Sequence, residues 1–233
     1  MDADARHTRW TSMDRLVGQW SCYLVFGLSV AYLPTTAAGF VFGGGLTGPI
    51  RDPYLAVMDL LILGLAPALV VSFAALHAHA PASKKILSHS ALVLVALMAG
   101  ITICVHFITL TVGRRANEAT LPGFSLLFSW TWPSMIYALD IIAWDFCLGL
   151  ALLLAAPVFS QSGAHAWVRR GMVISGILCL GGLLDVVLGN MNVRDIGIVG
   201  YAVVLPIVIL RMGRLFAATS TRDYEPVSGS AVV

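Results

Sequence analysis

Charge is scarce in this chain. Of its 233 residues 11% are charged, against roughly a quarter in an ordinary soluble domain, and the shortage excludes a solvated globular protein. A formal net charge of +2 leaves no basic face for nucleic acid. The only lysines, Lys84 and Lys85, stand side by side in a polar stretch, so no intramembrane lysine is present to carry retinal. The cysteines, Cys22, Cys104, Cys147 and Cys179, lie one each in four apolar runs with no CxxC pair. They read as packing residues, with neither a disulfide framework nor a zinc site. Only His106 lies deep in an apolar run, which excludes a two-haem cytochrome with paired histidines. There is no aspartate-rich motif to hold Mg²⁺ and diphosphate, no GxSxG elbow and no HExxH.

Apolar sequence is what remains, with 58% hydrophobic residues and a mean hydropathy of +0.87. A transmembrane helix needs about 20 such residues, and six runs qualify: 20–44, 54–80, 89–113, 134–157, 171–190 and 197–217. The expected fold is all-α, a polytopic membrane bundle of six transmembrane helices, or seven. Asp52-Pro53 and Trp132-Pro133-Ser134 supply helix starts, while Pro34, Pro67 and Pro206 fall inside spans and predict kinks. Residues 1–19 read as a cytoplasmic segment, 20–217 as the bundle and 218–233 as a disordered tail. The first run is too long for a signal-peptide core and reads as a retained helix. Ten arginines and lysines fall on one side and four on the other, Arg51, Arg114, Arg115 and Arg194, which predicts cytoplasmic termini.

Carboxylates inside such runs are costly and mark cavities or partners. Counted at about 1.5 Å per residue, Asp59, His106, Asp140, Asp185 and Tyr201 fall in one layer, with Asp145 deeper. Interhelical hydrogen bonding would account for any one of them, but not for their common depth. Thr102, His106, Thr109 and Gly113 share one helical face, as do Tyr137, Asp140 and Trp144. Asp145 lies about 140° around an α-helix from Asp140, so the two are no dyad unless the helix is distorted; Asp145 then pairs with a neighbouring helix. The loop of residues 114–133 carries Phe124, Phe128, Trp130 and Trp132, an interfacial belt or a lid over the polar layer.

A carboxyl group desolvated by such surroundings stays protonated near neutral pH and can hand its proton to an olefin or an epoxide oxygen. Aromatic faces would stabilise the resulting carbocation. The stretches "DPYLAVMDLLILGLAP", "VHFITLTVGR" and "WDFCLGLALLLAAPVF", with the span number and buried acids, resemble small membrane-bound terpene cyclases of meroterpenoid pathways such as those of ascofuranone and macrophorin. That resemblance, over residues 20–217, implies metal- and cofactor-free, acid-initiated cyclisation of a lipophilic prenylated phenol or its terminal epoxide, taken from the bilayer. The residues put Asp140 first as general acid and Asp59 second, with His106 orienting or reprotonating the acid. Asp145 and Asp185 support them, and Tyr137, Trp144, Tyr201, Trp132 and Phe128 line the substrate site. A proton-coupled small-molecule transporter also needs intramembrane carboxylates, and a non-catalytic lipid-binding protein is a third alternative.

Overall fold

A computed structural model describes residues 10–45 and 48–221, without the side chain of Asp185. Of the expected 1–19 segment residues 1–9, and of the expected 218–233 tail residues 222–233, lie outside the described residues. Six helical spans are long and apolar enough to cross a membrane: Ser12–Phe42, Tyr54–His79, Ala82–Gly113, Met135–Val158, Gly163–Leu188 and Met191–Ala218, spans one to six. The protein is an integral, multi-pass, all-helical membrane protein, and no strand occurs among the described residues.

Four spans start well before their apolar runs. Hydropathy marks the part that needs hydrocarbon, whereas backbone hydrogen bonding continues into polar flanks. Span one begins at Ser12 because Thr11 and Asp14 form a reciprocal capping box, each side chain bonding the other residue's backbone amide. Span two begins at Tyr54, with Pro53 rather than Asp52 in the cap position. Asp52 still serves that end, its Oδ1 accepting from the Ala56 amide at 3.2 Å. Ser134 caps span four, accepting from the Tyr137 amide at 3.3 Å.

Span one packs against spans two and six, span two against three, three against four, and five against four and six. Trp10 meets the Phe216 ring at 5.3 Å and Ser12 Oγ lies 3.4 Å from Thr221 Oγ1, so both ends of the described chain share one end of the bundle. The opposite end carries the loop of residues 114–134. Phe73, Leu76, Met98, Leu152, Met172, Met212 and Phe216 fill the core. Small residues bring spans four and five close: a methyl added at Gly176 would lie 2.8 Å from the Gly149 carbonyl oxygen. Cys22, Cys147 and Cys179 are buried free thiols, and Cys104 is an exposed one.

Three spans contain a wide π-helical turn: Thr109–Gly113, Ile142–Cys147 and Val199–Val204. Such turns interrupt α-helices most often at functional sites. Pro206 follows the last of them, at the start of the α-helical segment Leu205–Ala218. All three turns lie towards the loop end, where the polar side chains gather.

Candidate functional site

Asp59 enters from span two and His106 from span three, and both are buried. His106 Nδ1 and Asp59 Oδ1 share a hydrogen bond of 2.7 Å, the geometry by which a carboxylate orients an imidazole. His106 Nε2 points on towards span four, 4.0 Å from Asp140 Oδ1. Thr102 and Thr109, on the same face as His106, are buried with it. Thr109 returns its hydroxyl to the Val105 carbonyl at 2.9 Å.

Asp140 has a strong partner of its own. Arg194 Nη2 donates to Asp140 Oδ2 at 2.7 Å, and Arg194 Nε lies 3.5 Å from Asp145 Oδ2. The guanidinium also sits 4.2 Å above the Tyr137 ring, a cation–π contact that adds to its anchoring. Arg194 is 3% exposed, in the first turn of span six, and is therefore a site residue and not one of the loop cations it was counted among. The wide turn at Ile142–Cys147 is the distortion that lets one arginine reach both aspartates of span four. Asp140, expected first as the neutral acid, is thus engaged as an arginine's counter-ion.

Asp145 is fully buried at the contact of spans four, five and six. Its Oδ1 fills the space at two glycines: a methyl at Gly182 would lie 2.9 Å away, and one at Gly197 would overlap it. Those glycines are the room that a buried carboxylate needs between close helices.

Asp59, His106, Asp140 and Arg194 border a cavity of about 420 Å³, which Asp145 does not reach, within the usual range for small-molecule sites. Asp59, His106, Tyr137, Asp140, Trp144, Arg194 and Tyr201 all reach it. Trp144 and Tyr201 face each other there with ring centres 5.2 Å apart. Span one contributes Ser29, Tyr32 and Thr36; Ser29 and Thr36 satisfy their hydroxyls on their own helix, at 2.8 and 2.9 Å. Val25, Ile62, Leu65 and Leu205 make the rest apolar. Leu33 and Phe40 also border the cavity and are 48% and 44% exposed.

The loop contributes differently from expectation. Trp130 and Thr131 reach the cavity, whereas Phe128 and Trp132 do not border it. A bend explains this: Ser129 Oγ accepts from the Thr131 amide at 3.1 Å, turning the chain just before the tryptophans part. Trp130 lies over His106 with ring centres 5.2 Å apart, while Trp132 borders an outer groove with Ile141 and Phe146. Phe128 packs on Phe124 at 5.6 Å. The side chain of Asp185 lies outside the described set.

With three carboxylates ionised, one guanidinium charged and the imidazole neutral, the cluster carries −2, and two bound protons would bring it to zero. A low-dielectric cavity penalises net charge. Four buried polar atoms of cavity-lining residues have no hydrogen-bond partner among the described residues: Asp59 Oδ2, His106 Nε2, Trp130 Nε1 and Arg194 Nε. Buried polar groups are normally satisfied, and exceptions mark catalytic or ligand-binding positions. Comparison with protein-family models, with curated proteins and with solved structures finds no match.

Proposed function

We propose that this chain is a membrane-embedded terpene cyclase of isomerase or lyase type, starting the cyclisation of a lipophilic prenylated phenol, or its terminal epoxide, by proton transfer. The observation that carries the reading is the Asp59–His106 pair, hydrogen-bonded at 2.7 Å in the wall of a cavity it shares with Trp144 and Tyr201; Asp59 Oδ2 and His106 Nε2 have no hydrogen-bond partner among the described residues, Nε2 lying 4.0 Å from Asp140 Oδ1. With one proton beyond its shared hydrogen bond, the pair is the general acid. Asp140, bonded to Arg194 at 2.7 Å, stands 4.0 Å from the imidazole.

In the reaction the pair gives its extra proton to an olefin carbon or an epoxide oxygen. The π electrons, or the breaking C–O bond, leave a tertiary carbocation. A neighbouring olefin attacks it, forming a C–C bond and passing the charge along the chain. Loss of a proton from the last cation to the now vacant His106 Nε2 restores the pair, so the proton balance is zero. The Trp144 and Tyr201 faces are placed to stabilise the travelling cation, and the apolar walls keep out water that would trap it.

The test is incubation of membranes containing the protein with a farnesylated phenol and with its terminal epoxide. A product of unchanged mass and altered chromatographic retention is expected, and lost in Asp59→Asn. No conversion of either compound would sink the cyclase reading. Proton-dependent accumulation of an unaltered compound in proteoliposomes would replace it with a transporter.

A further inference from the structure

Of the three acids in the cluster, one keeps an open surface. The Asp140 side chain is 12% exposed, against 1% for Asp59 and 0% for Asp145. Span four turns it into the bundle, so that surface lies in the cavity Asp140 lines. Its Oδ2 is held by Arg194 at 2.7 Å. Its Oδ1 accepts no hydrogen bond among the described residues, and unlike Asp59 Oδ2 and His106 Nε2 it is not sealed from the surface. His106 Nε2 stands 4.0 Å from it, beyond hydrogen-bond reach. We infer that Asp140 Oδ1 is the docking point for the polar end of a largely apolar ligand, and that this end is a hydrogen-bond donor, an O–H or an N–H.

The chemistry of the open atom selects its partner. A carboxylate paired with a guanidinium has oxygens that only accept. An ether, ester or ketone end would set lone pairs against lone pairs, and an anionic end would oppose the carboxylate outright. A hydrocarbon end would strip Oδ1 of water and leave it unpaired. A hydroxyl or a protonated amine supplies the missing donor. For the rest of the ligand the cavity offers the Trp144 and Tyr201 rings, 5.2 Å apart, and the aliphatic Val25, Ile62, Leu65 and Leu205. The inference stands on Asp140 and the cavity and does not depend on the cyclase reading, although the phenol of that reading carries such a donor.

The experiment measures binding to the full chain in lipid nanodiscs, with binding to empty nanodiscs subtracted. The probes are 4-octylphenol, its methyl ether 4-octylanisole, and 4-octylbenzylamine, which is protonated at neutral pH. The phenol and the amine are each expected to bind about 10-fold more tightly than the ether, the scale of one hydrogen bond to a charged group. The tighter of the two tells whether the site prefers a neutral or a cationic donor. Asp140→Asn then inverts the docking point. Arg194 only donates, so it holds the amide carbonyl, as a weaker partner than the carboxylate, and turns the amide NH₂ to the cavity. In that variant the phenol, which also accepts, should lose its advantage over the ether, and the amine, which only donates, should fall below it. An ether bound as tightly as the phenol on the unaltered protein would overturn the inference. So would an unchanged ranking, or an equal weakening of all three probes, in folded Asp140→Asn. Should the variant not fold, the ranking on the unaltered protein decides. Preference for donors without turnover of any prenylated phenol would uphold the docking point and discard the cyclase, and turnover without that preference would do the reverse.

Discussion

Arg194 and Asp140 stand 54 residues apart in the chain and share a buried hydrogen bond of 2.7 Å. Arg194 also faces Asp145, so one cation from span six holds two acids of span four. Removing it would leave two buried carboxylates without their cation. Arg194→Met should cost about 3–5 kcal/mol of stability, the usual penalty for breaking a buried pair on one side. The triple variant Arg194→Met, Asp140→Asn, Asp145→Asn should recover most of it. Thermal unfolding in detergent reads both values, and an unchanged midpoint for Arg194→Met would refute the assignment.

The two candidate acids should part company in mutagenesis. Asp59→Asn keeps the shape of the side chain but cannot complete an acid pair with His106. Turnover should fall about 10²–10⁴-fold, the range for a lost general acid, with the helical circular dichroism intact. Asp140→Asn should instead show first as a lower unfolding temperature, because Arg194 loses its shortest partner. Full turnover in Asp59→Asn would return the acid role to Asp140.

Two glycines make a controlled pair. A methyl at Gly197 would overlap Asp145, whereas at Gly181 the nearest atom is Ile196 Cγ2 at 3.6 Å, an ordinary contact. Gly197→Ala should therefore destabilise by about 1–3 kcal/mol, the cost of forcing volume into a packed interior. Gly181→Ala should be close to neutral. Equal unfolding temperatures for the two variants would refute the close contact between Gly197 and Asp145.

The loop carries its own pH signature. Glu118 is held below its ordinary value of 4.5 by the Ser125 hydroxyl, then by backbone amides; its carboxylate accepts from the Ser125 and Gly123 amides at 2.7 and 3.1 Å. A lowered folded-state value means the stabilisation is complete above the ordinary value and disappears as pH falls through the lowered one. Tryptophan emission reporting on Trp130 and Trp132 should shift on the acid side of 4.5. Glu118→Gln should abolish that step. An identical acid step in the variant would assign it to another group.

How far the sequence reaches can be judged residue by residue. Asp59, His106 and Asp140 were legible because a charge inside an apolar run has few reasons to be there. Arg194 was not, because it follows "GNMNV", a stretch as polar as any loop, and only the tertiary fold buries the first turn of span six. Trp130 was hidden among four loop aromatics of equal standing; the bend at Ser129–Thr131 separates it from Trp132, and no periodicity announces a bend. The spans themselves were plain from hydropathy, but their polar starts depend on caps such as Thr11 with Asp14, whose bonds extend helix beyond the hydrocarbon-like core.

The wide turn at Ile142–Cys147 has a consequence for how such a site can change over time. A π-helical turn is an α-helix with one residue too many, absorbed within a single loop of backbone. Deleting Ile142 or Ala143 would restore regular α-helix and swing Asp140 about 100° relative to Asp145. One end of span four would then face the wrong neighbours although every functional side chain survived. In this segment alignment is stored as a count of residues, which a single deletion changes and a substitution does not.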